Sequence, residues 1–179
     1  MRIIAGTRKG ARIAAPKGAA TRPTGDRVRE AAFNLIGPVD DATVLDLYAG
    51  SGAMGLEALS RGARRCVFVE SDRAACRVIQ ANLEKLGLTG AVVRCGDAFA
   101  ALRDEVAAGR RYDLVLVDPP YSEYASSLQM ALSALLPDML EPDGLVVLET
   151  GSTTEPELPL ELVTSRRYGS SRLTLFRPA

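Results

Sequence analysis

At 179 residues, with 47% hydrophobic and 25% charged side chains, the chain has the make-up of one globular domain large enough to bury a core. It contains no histidine, which excludes histidine-based metal sites and histidine-dependent catalytic triads. Its 22 Lys/Arg balance 22 Asp/Glu overall, yet residues 1–36 hold eight basic side chains against only Asp26 and Glu30, leaving 14 basic and 20 acidic residues beyond them. A basic arm on an acidic body suggests a polyanion partner.

Cys66, Cys76 and Cys95 are odd in number, far apart and without a Cys-x-x-Cys. They fall in apolar segments, which predicts packing as small hydrophobes in a reducing compartment. No apolar run reaches the length of a membrane span, and the start of the chain lacks a signal-peptide core. A cytoplasmic protein with no membrane partner, no metal and no need of a second copy is the expectation.

In chain order, residues 2–6 and 11–14 read as two short strands, and 16–23 as loop. Thr24 is placed to cap a helix through Ile36, with Val28, Ala32, Leu35 and Ile36 on one face. From residue 43 the pattern alternates. Strands are predicted at 43–47, 66–70, 91–95, 112–117 and 145–149. The helices between them run over 53–61, from a cap at Ser71 or Asp72 to Leu86, over 97–108, and along Leu128, Leu132, Leu135, Leu136 and Met139. Residues 141–144, Glu-Pro-Asp-Gly, read as the turn into the fifth strand. The end differs, because 158–168 and 172–176 are joined by Gly169-Ser170-Ser171 with no helix between them, which reads as a hairpin. The expected fold is therefore α/β and Rossmann-like. It has a mostly parallel seven-stranded sheet, helices on both faces and a C-terminal antiparallel hairpin. Residues 1–37 are expected to form a small basic extension, a short hairpin plus a helix, ahead of the α/β domain over 38–179.

The loop after the first strand contains Gly50-x-Gly52-x-x-Gly55, a match to the dinucleotide fingerprint, with Glu70 ending the next strand about 20 residues on. Glycines let backbone approach a ligand closely, and a carboxylate at Glu70 accepts from ribose hydroxyls. No Gly-Lys-Ser/Thr is present, so a P-loop ATPase is excluded. Asp46 stands just before the glycines, where it would repel a diphosphate and attract the ammonium of S-adenosylmethionine. Asp97 can accept from an adenine amino group while the Ala98 N–H donates to the ring, although a helix N-cap accounts for Asp97 equally well. Asp46, Tyr48, Ala49, Gly50, Ser51, Gly52, Glu70, Ser71, Asp97, Ala98 and Asp118 make up the expected cofactor-binding set, for S-adenosylmethionine.

The fourth strand stops at Asp118-Pro119-Pro120-Tyr121. Two prolines cannot continue a ladder, so the chain leaves the sheet stiffly at the edge where open α/β sheets bind ligands. A carboxylate, a carbonyl and an aromatic ring are presented there together.

Residues 44–52 together with Asp118-Pro119-Pro120-Tyr121 resemble class I S-adenosylmethionine-dependent methyltransferases that modify planar, conjugated nitrogens. The resemblance implies that Asp118 and the Pro119 carbonyl hold the target amine, while Tyr121 stacks on its ring. Arg2-Ile3-Ile4-Ala5-Gly6, the run from Arg22-Pro23-Thr24 to Asn34, and Tyr168-Gly169 are similar to the bacterial RsmD-type family of 16S ribosomal RNA guanine-N2 methyltransferases. Gly25 and Ser170-Ser171 depart mildly from that pattern. The resemblance spans nearly the whole chain. It implies Asp118, Pro119, Pro120 and Tyr121 as the catalytic group, 16S rRNA of the small ribosomal subunit as partner, and guanine 966 as target. Arg8, Lys9, Arg12, Lys17, Arg22, Thr24, Arg27 and Arg29 are the expected RNA contacts. The alternatives are an adenine-N6 methyltransferase sharing Asp-Pro-Pro-Tyr, and a non-catalytic cofactor- or RNA-binding assembly factor.

Overall fold

The computed structural model describes residues 1–16, 25–120 and 126–179. Seven strands make one sheet: β1 (Thr43–Leu47), β2 (Arg65–Glu70), β3 (Ala91–Cys95), β4 (Tyr112–Val117), β5 (Leu140–Gly151), β6 (Glu161–Tyr168) and β7 (Ser171–Arg177). Their order across the sheet is β3-β2-β1-β4-β5-β7-β6, as the α/β reading requires. The pairs from β3 to β5 are parallel, and β7 runs antiparallel to both β5 and β6. Among the described residues five helices surround it: α1 (Asp26–Ile36), α2 (Ala53–Ser60), α3 (Arg73–Leu86), α4 (Ala98–Ala107) and α5 (Ser126–Met139). No helix among the described residues is long and apolar enough to cross a membrane.

Strand alternation divides the core into two layers. Val44, Cys66, Phe68, Leu114, Leu116 and Val147 face Ala32 and Phe33 of α1, Leu56 and Leu59 of α2, and Ile79 and Leu83 of α3. The residues between them, including Leu45, Leu47, Val67, Val69, Val115 and Val117, face Ala101 and Leu102 of α4 and Leu128, Leu132 and Leu136 of α5. Both faces are covered, which is why these strands read as continuous apolar runs. The helix borders follow local chemistry. Asp72 caps α3 by accepting from the Ala74 N–H at 2.8 Å, and Gly87 ends it in the left-handed region.

Four expectations are corrected. The helix predicted from Thr24 starts at Asp26, with Gly25 at its N-cap and no side-chain cap bond; Thr24 lies outside the described residues. The two strands predicted in the arm reduce to one antiparallel bridge, Arg2 to Arg12, because the chain between them is taken up by a 3-10 turn at Gly6–Arg8. The turn predicted at 141–144 lies inside β5 as a bulge. Tyr112 pairs with Leu140 and Leu114 with Leu145, so Pro142, which has no N–H to donate, stands out of the ladder. Cys95, unlike Cys66 and Cys76, is exposed, because it ends β3 at the edge of the sheet.

The arm is latched to the body. Ile3 and Ile13 are buried in the same core layer as Phe33 and Val44. Gly6 lies so close to the end of α2 that a Cβ would stand 1.8 Å from the Ser60 carbonyl oxygen. Glu57, fully buried on α2, accepts from the Ile4 N–H at 2.8 Å, the Ala5 N–H at 2.9 Å and Arg61 Nε at 2.8 Å. Arg29 Nε lies 3.6 Å from the same carboxylate. On α3, Asn82 accepts from the Ala14 N–H at 2.9 Å and donates to the Ala14 carbonyl at 3.0 Å. Ser60 accepts from the Arg8 N–H at 3.0 Å and donates to the Ala5 carbonyl at 2.7 Å, and Arg29 and Lys85 donate to the Arg2 and Arg12 carbonyls. Side chains of the body therefore carry the backbone of a strandless segment.

Candidate active site

The sheet order sets the site. Winding from β1 proceeds outward through β2 to β3 and in the other direction through β4 to β5, so the carboxyl ends of β1 and β4 border the crevice where the winding reverses. Leu47 pairs with both Val117 and Val69, and Glu70 with Cys95. Asp118, Tyr48, Glu70 and the Cys95-Gly96-Asp97 turn therefore follow one another along a single edge. From Asp118 to Asp97 is three strand spacings, roughly 14 Å.

The glycine loop is held from two sides. The Ala49 N–H donates to the Val69 carbonyl at 3.0 Å, and the Gly52 N–H to the Ala49 carbonyl at 2.7 Å. Tyr48 takes a φ of +61°, costly for a bulky aromatic residue and a mark of constraint at the turn. At Gly55 a Cβ would stand 2.3 Å from Phe68 Cε1 and 2.6 Å from Cys66 Sγ, so only glycine lets α2 press onto β2. That is the close helix–strand packing expected of the third glycine of the motif.

Asp46 lies beneath this loop, 3% exposed, and its Oδ2 accepts from the Gly55 N–H at 2.9 Å in the first turn of α2. Burial pushes its carboxyl up to about 7; the Gly55 N–H opposes the rise and the charge of Glu70 adds to it. A group raised in the folded state holds its stabilising contribution below its ordinary value of 3.8 and loses it as pH rises through about 7. Asp46→Asn keeps an acceptor for Gly55 and removes the buried charge. The variant is expected to exceed the parent by on the order of 2–4 kcal/mol above about pH 8. The gap should close towards about pH 4, as read by urea unfolding across that range.

Glu70 ties the loop to α3. Its Oε2 accepts from the Gly50 N–H at 2.7 Å, its Oε1 from the Asp72 N–H at 2.8 Å, and Ser71 Oγ lies 3.5 Å from Oε1. Each carboxylate oxygen has a further lone pair for a ligand hydroxyl. Asp97 is the N-cap of α4, accepting from the Ala100 N–H at 2.8 Å through Oδ1. It is exposed, whereas Ala98 is buried, Ser71 exposed and Ser51 half-buried. The Asp118 N–H donates to the Leu47 carbonyl at 3.4 Å, joining the acidic turn to β1. Asp118 and Pro120 are half-buried and Pro119 is buried; Tyr121 lies outside the described residues.

The expected RNA contacts separate. Lys9, Arg12 and Arg27 are exposed, while Lys17, Arg22 and Thr24 lie outside the described residues. Arg8 is half-buried; its Nε donates to the Leu86 carbonyl and its NH2 to the Gly87 carbonyl at 3.3 Å, which terminates α3. Arg29 is a correction. It is 0% exposed and paired with Asp26 at 2.9 Å and with Glu57, so it is spent inside the fold and not available to RNA. Two positioning residues escaped the sequence reading. Glu57 interrupts the apolar run of α2, which was its only signal, and Asn82 also donates to the Ser51 carbonyl at 3.4 Å, joining loop, α3 and arm.

Comparison with known proteins places this geometry. The family model described as conserved hypothetical protein 95 matches residues 1–177. A Bacillus subtilis (strain 168) protein, YlbH, assigned provisionally as an rRNA methyltransferase, is 40% identical over 99% of this chain and 98% of its own length. Ribosomal RNA small subunit methyltransferase D of Escherichia coli (strain K12) is 43% identical over 68% of this chain and 60% of its own length. The solved structure of yhhF from Escherichia coli, a provisionally assigned methyltransferase, superposes with a TM-score of 0.87 at 35% identity, over 100% of this chain and 98% of that one. With this fold, this loop and a match along almost its whole length, the chain belongs to the conserved hypothetical protein 95 family, the RsmD-type methyltransferases.

Proposed function

We propose that this chain transfers a methyl group from S-adenosylmethionine to the exocyclic N2 of a guanine in 16S rRNA of the small ribosomal subunit, with guanine 966 as the family's expected target. The observation that carries the reading is the juxtaposition of the Asp118-Pro119-Pro120 turn and the glycine loop on the adjacent ends of β4 and β1. That arrangement sets an amine-holding group beside a nucleoside-binding one. The name of the Escherichia coli relative supports the substrate class.

The donor set fits the cofactor. Glu70, Asp97 and Asp118 are acidic along this edge, with Asp46 buried behind them beneath the loop, which suits a ligand cationic at sulfur and amine and would repel a diphosphate. When bound, S-adenosylmethionine supplies an electrophilic methyl group on a sulfonium. Glu70 would accept from the ribose hydroxyls and Asp97 from the adenine amino group. Gly50 and Gly52 bring backbone close to the amino-acid end. The Asp118 carboxylate and the Pro119 carbonyl accept the two N–H bonds of the target amine. They turn its lone pair out of conjugation and towards the methyl, and they stabilise the positive charge that grows on nitrogen. The stiffness of two consecutive prolines keeps those acceptors in place. Tyr121 supplies the stacking surface for an unstacked guanine. Lys9, Arg12 and Arg27, with Lys17, Arg22 and Thr24, position the rRNA through its phosphates.

Incubation with labelled S-adenosylmethionine and undermethylated small subunits, followed by digestion to nucleosides, tests the proposal. Label in N2-methylguanosine supports it. Label in N6-methyladenosine would keep the mechanism and overturn the substrate. No label in subunits, free rRNA or DNA, despite cofactor binding, would favour the assembly-factor reading.

A further inference from the structure

The opposite edge of the sheet carries a feature that the proposed chemistry does not use. Two Arg-Arg pairs each open a strand, Arg64-Arg65 at β2 and Arg110-Arg111 at β4. Because β2 and β4 are the two parallel neighbours of β1, the topology brings both pairs to the same amino-terminal edge, on either side of Thr43. They line a groove of about 540 Å³ whose wall also includes Val92, and among the described residues no carboxylate lines it. All four arginines are exposed.

Their charges are largely uncompensated. Arg64 donates to Thr43 Oγ1 at 3.2 Å and Arg111 to the Leu140 carbonyl at 2.7 Å, both neutral acceptors. Arg110 pairs with Glu105 at 2.8 Å, but the same Oε1 also serves Arg94 at 2.7 Å, so one carboxylate is shared between two guanidinium groups. Asp113, next along β4, accepts from the Thr43 N–H at 2.7 Å. Beyond these, Arg65 brings a full charge to the groove.

The groove offers no aromatic platform on which a base could stack. Its one aromatic residue, Tyr112, is buried with its hydroxyl donating to Glu105 at 2.5 Å, which leaves no ring for stacking. Val92, 40% exposed, offers an apolar wall of the kind a sugar can lie against. Guanidinium groups spread along an open trough suit successive phosphates of one strand better than a single compact anion.

We propose that this amino-terminal edge is a second RNA-backbone contact surface, made by Arg64, Arg65, Arg110 and Arg111. The inference rests on the rRNA reading above and extends it. The groove lies a strand length, roughly 17–20 Å, from the Asp118 edge. Only an RNA long enough and folded enough to reach round the sheet touches both surfaces, and a short hairpin carrying the target guanine touches one.

The test compares wild type, Arg64→Glu/Arg65→Glu and the charge-preserving Arg64→Lys/Arg65→Lys, each checked for folding by thermal unfolding and for S-adenosylmethionine binding. Direct binding is measured to intact 16S rRNA and to a short hairpin as salt is varied. The double Glu variant should lose about 10-fold or more in affinity for the long RNA. Its log–log salt slope should fall by about 1–2. Its hairpin affinity should be unchanged, and the Lys variant should recover most of the loss. Equal long-RNA affinity and salt slope in wild type and the folded Glu variant would overturn the surface. So would a nucleoside triphosphate that binds wild type and not the Glu variant while long-RNA affinity is equal, since the ligand would then be a small polyphosphate. If methyl transfer to rRNA fails altogether while the affinity difference persists, the surface stands and the proposed reaction falls.

Discussion

Asp118→Ala is expected to lower the single-turnover rate of methyl transfer by about 10²–10³-fold, the scale on which loss of one preorganised electrostatic contact is felt. The affinity for S-adenosylmethionine and for rRNA should change little, because in the proposed arrangement Glu70 and the loop backbone hold the cofactor and the basic side chains hold the RNA. Asp118→Asn is the informative companion. Its amide keeps one acceptor oxygen but turns donors towards the amine, so it should fall between the parent and the Ala variant. Rates measured with saturating cofactor on undermethylated subunits, beside calorimetric cofactor affinities, check both variants. Full transferase rate in Asp118→Ala would sink the amine-holding role. A loss confined to cofactor affinity would reassign the residue to cofactor binding alone.

The second large effect is on stability. Glu57 and Arg29 are both 0% exposed, and the carboxylate also receives two backbone N–H groups of the arm and Arg61. Glu57→Gln removes the fully buried counterion of Arg29 and leaves it the part-exposed Asp26. A loss of about 3–5 kcal/mol is expected, read as a lower urea midpoint at constant slope. Residues 1–16 should also lose amide-exchange protection sooner than the sheet does. The double change Glu57→Gln/Arg29→Met should recover part of the loss, since no unpaired charge then remains inside. If Glu57→Gln alone costs under about 1 kcal/mol, the arm is held by its apolar contacts and not by the buried carboxylate.

The strand and helix pattern was legible because it rests on local chemistry. Strands covered on both faces must be apolar throughout, and Gly87 and Asp72 mark the borders of α3 with their own backbone preferences. The glycine loop and the Asp-Pro-Pro turn were legible for the same reason, as each is one contiguous run. Arg29 was misread because a count of charges assumes that they point outward. Its partner Glu57 is 28 positions away, and only the docking of α1 on α2 brings them together. The amino-terminal arginines were hidden by the opposite error. The acidic excess of residues 37–179 masks two dipeptides that become one cluster only when the strand order is known. The bulge in β5 was missed because Glu-Pro-Asp-Gly is an ordinary turn sequence, and its place within the strand follows from Leu140 pairing with Tyr112 beforehand.

The position of β7 between β5 and β6 has a consequence for synthesis. A nascent chain that has emerged as far as Tyr168 has made β6 but has nowhere to put it, because its only neighbour in the sheet has not yet left the ribosome. Until Leu173, Leu175 and Phe176 arrive, β5 remains a bare edge flanked by uncovered apolar surface, the condition in which strands from different chains pair with one another. The final insertion must therefore join two existing edges in one event. Pairing between chains is expected to compete most strongly until β7 has entered between β5 and β6.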